Sequence, residues 1–430
     1  MQYYSLNDNT IKASFSEAVI KGIAPDRGLY FPENITPLPQ SFFDTIENLD
    51  TIEIAYQAIQ QFVGDEIPET ELRDILADVL NFEFPVVEIE DNIATLELFH
   101  GPTMAFKDVG ARFMARCLGY FNRNNNNQVT VLVATSGDTG GAVANGFLGV
   151  KGVDVVILYP SGKVSDIQER QLTTLGQNIT ALKIDGVFDD CQDMVKTAFL
   201  DKGITDHKQL TSANSINVAR WLPQLLYFLF AYKQVKSKGK DIVFSVPSGN
   251  FGNICAGIVA HKLGLPVKHF VASTNINDTV VRYLKTSDYD PQPSKATISN
   301  AMDVGNPSNF IRIQRLFDNN FEELKDNFSA YSFDDGQTKD AMKKIYDQTK
   351  YIADPHGAVG YLGLKKQELQ DNEYGIFLET AHPVKFMDIV EETIKTSLEI
   401  PPQIQKVMNK EKKSFSIKSY KELKEFLLQK

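Results

Sequence analysis

Three short segments hold residue types that could do chemistry together. In HGPTMAFKDVGARFMARCLGYF, apolar residues at Phe106, Val109, Phe113, Met114, Cys117, Leu118 and Phe121 recur at helical spacing, so one face is core and Lys107 falls near the helix start. A cation there opposes the helix dipole, at ~0.3 to 1 kcal/mol for an exposed site. Dipole and burial together favour the neutral amine that imine formation needs. Taken alone, this residue reads more simply as a solvated surface lysine. In VFSVPSGNFGNICAGIVAHKLG a strand runs into Ser248, Gly249, Asn250, Phe251, Gly252 and Asn253, and a helix leaves. Glycines let backbone N–H groups face inward and the helix start adds positive potential, which suits a phosphate dianion. A plain tight turn explains the loop about as well. It follows neither G-x-G-x-x-G nor G-x-x-x-x-G-K-[ST], which weakens dinucleotide and P-loop readings. In VTVLVATSGDTGGAVANGF the same logic puts Thr135, Ser136, Gly137, Asp138 and Thr139 at a helix start, where hydroxyls and amides suit a carboxylate. Asp138 is awkward beside an anion. Either it turns away as a helix cap, or it is protonated or hydrogen-bonded in the complex.

A phosphate cup, a carboxylate cup and a lysine between them describe a site for pyridoxal phosphate and an amino acid. The elements that must position them are legible too. VTVLVA at Val129–Ala134, DVVILYP at Asp154–Pro160 and DIVFSVP at Asp241–Pro247 are β-rich, and each precedes a helix-compatible stretch. Such repetition specifies an α/β architecture with a mostly parallel sheet. From Ser14 to about Leu80, helical segments broken by APDRG and FPENITPLP suggest a small unit without a sheet of its own. Asn122–Gln128, with its run of asparagines, is expected as a polar surface loop. After Pro401 the chain closes in an amphipathic helix, SYKELKEFLLQ, expected on the exterior.

The 430 residues exceed the ~250 to 300 at which single cores stop growing, which predicts two or three domains. A formal net charge of -11, with no basic block beyond Lys410–Lys413, argues against nucleic acid as a partner. Cys117, Cys191 and Cys255 lie far apart in apolar or helical-looking stretches and read as reduced, buried thiols. No His, Cys or carboxylate spacing suggests a metal. MQYYSLNDNT lacks the pattern of a signal peptide, and no apolar run approaches a membrane span, so a soluble cytoplasmic protein is expected.

The sequence resembles the threonine synthases, within the fold-type II pyridoxal-phosphate enzymes, over nearly its whole length. The blocks carrying the resemblance are SFSEAVIKGIAPDRGLYFPE, FHGPTMAFKDVGARFM, TSGDTGGAV, TSANSINVARWLPQ, VPSGNFGNICAG, TNINDTVVRYL, ISNAMDVGNPSN, ADPHGAVGYLG and LETAHPVKF, in that order. Dehydratases, cysteine synthases and tryptophan synthase β subunits share the fold but lack FHGPTMAFKD and SFSEAV. The resemblance implies a tryptophan synthase β-like fold, with two α/β domains of mostly parallel sheets and a small N-terminal helical unit. The expected boundaries are 1–82, a catalytic core at 83–400 whose smaller lobe spans about 105–200, and an extension at 401–430. By the same resemblance Lys107 is the Schiff-base lysine and proton shuttle, and Gly249, Asn250, Phe251, Gly252 and Asn253 hold the cofactor phosphate. Thr380 meets the pyridine nitrogen. Thr135, Ser136, Gly137 and Thr139 hold the substrate carboxylate, with Asp138 near the cofactor's ring hydroxyl. Asn214, Ser215 and Arg220 form a pocket for the substrate's own phosphate, which suits arginine's planar fork. Arg220 also reads as an ordinary helix-surface ion pair.

The implied reaction turns O-phospho-L-homoserine and water into L-threonine and phosphate, by γ-elimination and then β-addition of water, in a monomer or homodimer. The alternatives are another fold-type II lyase, such as a threonine or serine dehydratase, and a relative with altered catalysis. Two positions depart from the family pattern. Arg27 stands where a glycine is frequent, and Gly305 replaces a bulkier residue. His207, His261 and His269 are expected as surface or satisfied core residues. His100, His356 and His382 lie in family-like blocks but receive no catalytic role, and Asp354-Pro355 also reads as a helix cap followed by proline.

Overall fold

The computed structural model describes residues 1–123 and 128–429, so most of the expected asparagine-rich loop, 124–127, lies outside the described residues. The chain divides into two compact units of interleaved segments. One comprises Met1–Glu33, Lys107–Arg220 and Ile400–Lys430, and the other Asn34–Phe106 and Trp221–Glu399.

The first unit is built on a five-stranded sheet in the order Phe415–Ile417, Ile179–Ile184, Val153–Pro160, Val129–Ala134, Gln209–Ser212. Every pairing is parallel. The central runs Val129–Ala134 and Val153–Pro160 are apolar but for Thr130 and Asp154, because helices cover both faces and leave no solvent face to demand alternation. Val129–Ala134 and Gln209–Ser212 are neighbours, so the loops leaving their carboxyl ends, 135–137 and 213–217, open side by side. Close backbone approaches lock the helices. A Cβ at Gly146 would lie 3.1 Å from the Ala111 carbonyl carbon, and one at Gly110 would lie 2.2 Å from the Arg220 carbonyl oxygen. Helix Lys107–Asn122 is thereby fixed against both helix Asp138–Phe147 and the Arg220 turn.

Two expectations for this unit are corrected. The N-terminal segment does carry a sheet, formed by antiparallel strands Gln2–Ser5, Lys12–Ser14 and Tyr30–Pro32. Strands of three or four residues are too short to display a period. Asn122 is not loop but the last residue of its helix, 5% exposed, with Nδ2 donating to the Gly152 carbonyl at 2.9 Å. Helix Phe15–Lys21 in the SFSEAV block starts with a reciprocal Ser14–Glu17 capping box, a feature typically worth ~1 kcal/mol. The terminal helix Tyr420–Gln429 buries Leu423 and Leu427 and leaves its charged face in solvent.

The second unit holds a six-stranded sheet in the order Phe328–Ser332, His269–Thr274, Asp241–Pro247, Glu373–Glu379, Ile93–Glu97, Val86–Glu90. Only the last pair is antiparallel. Asp241–Pro247 and Glu373–Glu379 are adjacent, so the 248–251 loop and Thr380 both leave the carboxyl edge of the sheet, where open α/β sheets bind ligands. Helix Pro355–Gln367 lies on these strands through glycines. A Cβ at Gly363 would sit 1.9 Å from Ser273 Oγ.

Candidate active site

In the first unit, Lys107 opens its helix and is half-buried, which removes the surface-lysine reading. One turn further along, Gly110 presses on the Arg220 backbone. Arg220 is 2% exposed, and its Nη1 donates to the Ala213 carbonyl. Burial takes this arginine off the helix surface. Asn214 Nδ2 donates to the Ala134 carbonyl at 3.2 Å, tying the 213–217 turn to the strand that delivers Thr135. Ser215, beside it, is half-buried. Helix Lys107–Asn122, the 135–139 loop and the arginine turn are thus brought together by close backbone approaches at Gly110 and Gly146 and by the Asn214 side chain.

Within the 135–139 loop, the residues divide by role. Thr135 is 1% exposed, and its Oγ1 accepts from the amides of Gly137 at 2.9 Å and Gly140 at 2.8 Å. Its hydroxyl shapes the loop, and Ser136 and Thr139 are half-buried. The helix cap is Gly137, at φ 137°, where an L side chain would be strained. Asp138 is therefore not the cap. It is buried, and its Oδ1 accepts from Gln168 Nε2 at 3.0 Å. Gln168 was not singled out by sequence reasoning, although Ser165-x-x-Gln168 is a legible capping box.

In the second unit, the loop after Asp241–Pro247 turns through Phe251, which takes a left-handed φ of 61° and caps helix Gly252–Lys262. Gly249 lies against the 301–302 backbone, where a Cβ would be 2.7 Å from Ala301 O. Asn250 Oδ1 accepts from Ser308 N at 2.6 Å, and Asn253 Nδ2 donates to the Pro247 carbonyl at 2.8 Å. Both side chains brace the loop. What remains for a ligand is the backbone: the first amides of a helix have no intrahelical acceptor and carry the positive end of its dipole. Thr380, 6% exposed, follows Glu373–Glu379 on the neighbouring strand, and its carbonyl accepts from Phe106 N at 2.9 Å. Lys107 is the next residue in the chain.

Beneath Thr380, Glu379 is fully buried. Burial first, and then the charge of Asp354, push its carboxyl well above the ordinary range. Asp354 caps helix Pro355–Gln367 through Gly357 N at 2.7 Å, as Asp-Pro predicts, and also meets His356 Nδ1 at 2.7 Å. His356 Nε2 accepts from Ala301 N at 3.2 Å, on the turn that flanks Gly249. His382 caps the turn that follows it, and burial lowers its imidazole to about 4. His100 pairs with Glu97 at 2.7 Å, His269 with Ser329 at 2.7 Å and His261 with the Leu265 carbonyl at 3.0 Å. These are structural partners. Burial also pushes the Cys191 and Cys255 thiols up to about 12, and Cys117 higher still. Among the described residues no group of His, Cys, Asp or Glu could hold a metal, and no helix is long and apolar enough to cross a membrane.

The donor set fits pyridoxal phosphate. A dianion suits amides at a helix start, and the pyridine nitrogen would meet a hydroxyl whose neighbouring carboxyl, Glu379, is buried and biased toward its neutral form. The model for "Pyridoxal-phosphate dependent enzyme" matches residues 90–378, and the chain belongs to that class. Models for the "Threonine synthase N terminus" and "Threonine synthase, C-terminal" match residues 2–79 and 357–427. Threonine synthase of Buchnera aphidicola is 43% identical, with 100% of each chain covered. The crystal structure of the Escherichia coli threonine synthase superimposes with a TM-score of 0.94 at 41% identity, again covering 100% of both chains. The PLP-bound threonine synthase of Brucella melitensis gives 0.94 at 31% identity, covering 100% of this chain and 99% of the other. Within its class, the chain belongs to the threonine synthases.

Proposed function

We propose that this chain converts O-phospho-L-homoserine and water into L-threonine and orthophosphate, the last step of threonine formation. The observation that carries the reading is the buried Arg220, locked through Gly110 to the helix that Lys107 opens. A buried guanidinium at that distance along the chain suits a substrate bearing a phosphate of its own, which a dehydratase substrate lacks.

Each residue has a task in this reading. Lys107 Nζ holds the cofactor, takes the proton from the substrate's α-carbon and returns it at the end. The amides of Gly249, Asn250, Phe251, Gly252 and Asn253 bind the cofactor phosphate, and the Thr380 hydroxyl meets its ring nitrogen without adding charge. Ser136, Thr139 and the Gly137 backbone orient the substrate carboxylate, while Thr135 holds that loop in shape and Asp138 lies near the ring hydroxyl. Asn214, Ser215 and Arg220 bind the phosphate that departs from the γ-carbon. Pyridoxal phosphate, when bound, delocalises the electron pair left when the α-proton is removed. The acidic balance, with a net charge of -11, supports a small-molecule enzyme without nucleic acid or an anionic membrane surface as partner, and the reading places it in the cytoplasm as a monomer or homodimer.

The test is product analysis with purified holoenzyme. O-phospho-L-homoserine should yield threonine and phosphate in equal amounts. Turnover of threonine to an oxoacid, without activity on phosphohomoserine, would assign a dehydratase instead.

A further inference from the structure

Asp138 sits among neutral donors in a loop read as binding an anion, so its charge must be managed. Gln168, on helix Asp166–Thr173, is placed to do so. It is 1% exposed, and its two amide atoms are both committed: Oε1 accepts from Ser165 N at 3.1 Å, and Nε2 donates to Asp138 Oδ1 at 3.0 Å. Because a backbone N–H can only donate, the orientation of the amide is fixed by chemistry. The same amide lies flat on Gly137, where a Cβ would come within 2.4 Å of Cδ, 2.5 Å of Oε1 and 2.6 Å of Nε2.

The helix bearing Gln168 is itself held from the C-terminal segment. Lys412 Nζ pairs with Asp166 at 2.7 Å and also with Glu169. Arg170 Nη1 donates to the Met408 carbonyl at 2.8 Å, and Lys413 N donates to the Thr173 carbonyl at 2.9 Å. Three anchors on successive turns leave the amide little room to withdraw from the loop.

We propose that Gln168 is a positioning residue for the 135–139 loop: by donating to Asp138 and walling Gly137, it directs the aspartate's charge away from the face that receives the substrate carboxylate. The inference rests on the reading of that loop given under Proposed function. A rival role, pure helix capping, makes a different prediction for one substitution. Glutamate is favoured at this position of a capping box, so Gln168→Glu keeps the bond from Ser165 N while replacing the donor to Asp138 with a second carboxylate.

The experiment measures KM and kcat for O-phosphohomoserine across pH in holoenzyme carrying Gln168→Glu, Gln168→Met or Ser136→Ala. It also reads L-threonine affinity from the cofactor's visible absorption, and the thermal midpoint. For Gln168→Glu the expected result is a midpoint lowered at about pH 8 and recovering toward about pH 6, with KM and the threonine dissociation constant raised ~10-fold at about pH 8 and kcat much less affected. The defect should shrink toward about pH 6, as the carboxylate pair takes up a proton that restores a donor to Asp138. Gln168→Met should raise KM at every pH, because it lacks a titrating group. Wild-type affinities in Gln168→Glu beside a raised KM in Ser136→Ala overturn this proposal alone. Wild-type KM in Ser136→Ala overturns the loop reading and this proposal with it. A lowered midpoint in Gln168→Met, beside a wild-type midpoint and wild-type affinities in Gln168→Glu, assigns Gln168 to capping and also overturns it.

Discussion

Arg27 takes a left-handed φ of 67° in the turn after APD, where its amide donates to the Ala24 carbonyl at 2.8 Å. An L residue there costs ~1 to 2 kcal/mol, offset partly by the backbone entropy that glycine would lose. Arg27→Gly should therefore stabilise the protein by about 0.5 to 1 kcal/mol, seen as a higher urea midpoint. A lowered midpoint would show that the arginine side chain has a compensating contact. Gly305, the other departure, has the opposite character: a Cβ there would sit 1.9 Å from the Gln292 carbonyl oxygen, so the local backbone path accepts only glycine. At this scale the sequence was informative about residue type and poor about residue role. Lys107 and the glycine turns were visible, whereas the role of Thr135, whose hydroxyl accepts from the Gly137 and Gly140 amides, depends on which way a hydroxyl points, and no pattern encodes that.

Long elements were legible because their signals are long. Val129–Ala134 and Asp241–Pro247 match their apolar runs residue for residue, and Lys107–Asn122 follows its helical period. The N-terminal sheet and the strand Phe415–Ile417 were missed because three or four residues hold less than two turns of any period. Also hidden was the pairing of the end of strand Glu373–Glu379 with the start of helix Pro355–Gln367, where Glu379 accepts from Asp354 N. A contact between residues 25 apart in the chain follows from the fold alone. Its electrostatics yield a prediction. Glu379 has a raised folded-state value, so its stabilising contribution is complete below the ordinary glutamate range and is lost as pH rises toward that folded value. Wild-type stability should fall through this group as pH rises above the ordinary glutamate range, and Glu379→Gln, which cannot titrate, should remove that slope. Thermal midpoints of the two proteins across this range test it. Parallel curves would mean that Glu379 is ionised in the folded state.

The whole molecule is where sequence order helps least. Each compact unit is assembled from separated stretches, and the chain passes from one to the other at Phe106–Lys107 and again at Arg220–Trp221. Neither crossing is marked by a linker composition, because both occur inside well-packed segments. What could be read was the ordered set of motif blocks, and that set covers residues assigned to both units. The proposed chemistry depends on one residue at the first crossing. Phe106 bonds Thr380 in one unit, and Lys107 opens the helix that carries the arginine turn in the other. The most direct measurement is therefore covalent. Borohydride reduction of the yellow holoenzyme, followed by digestion and mass mapping, should place the reduced pyridoxyl group on Lys107, and Lys107→Ala should retain none. The label on any other lysine, or an undiminished yield in Lys107→Ala, would contradict the account.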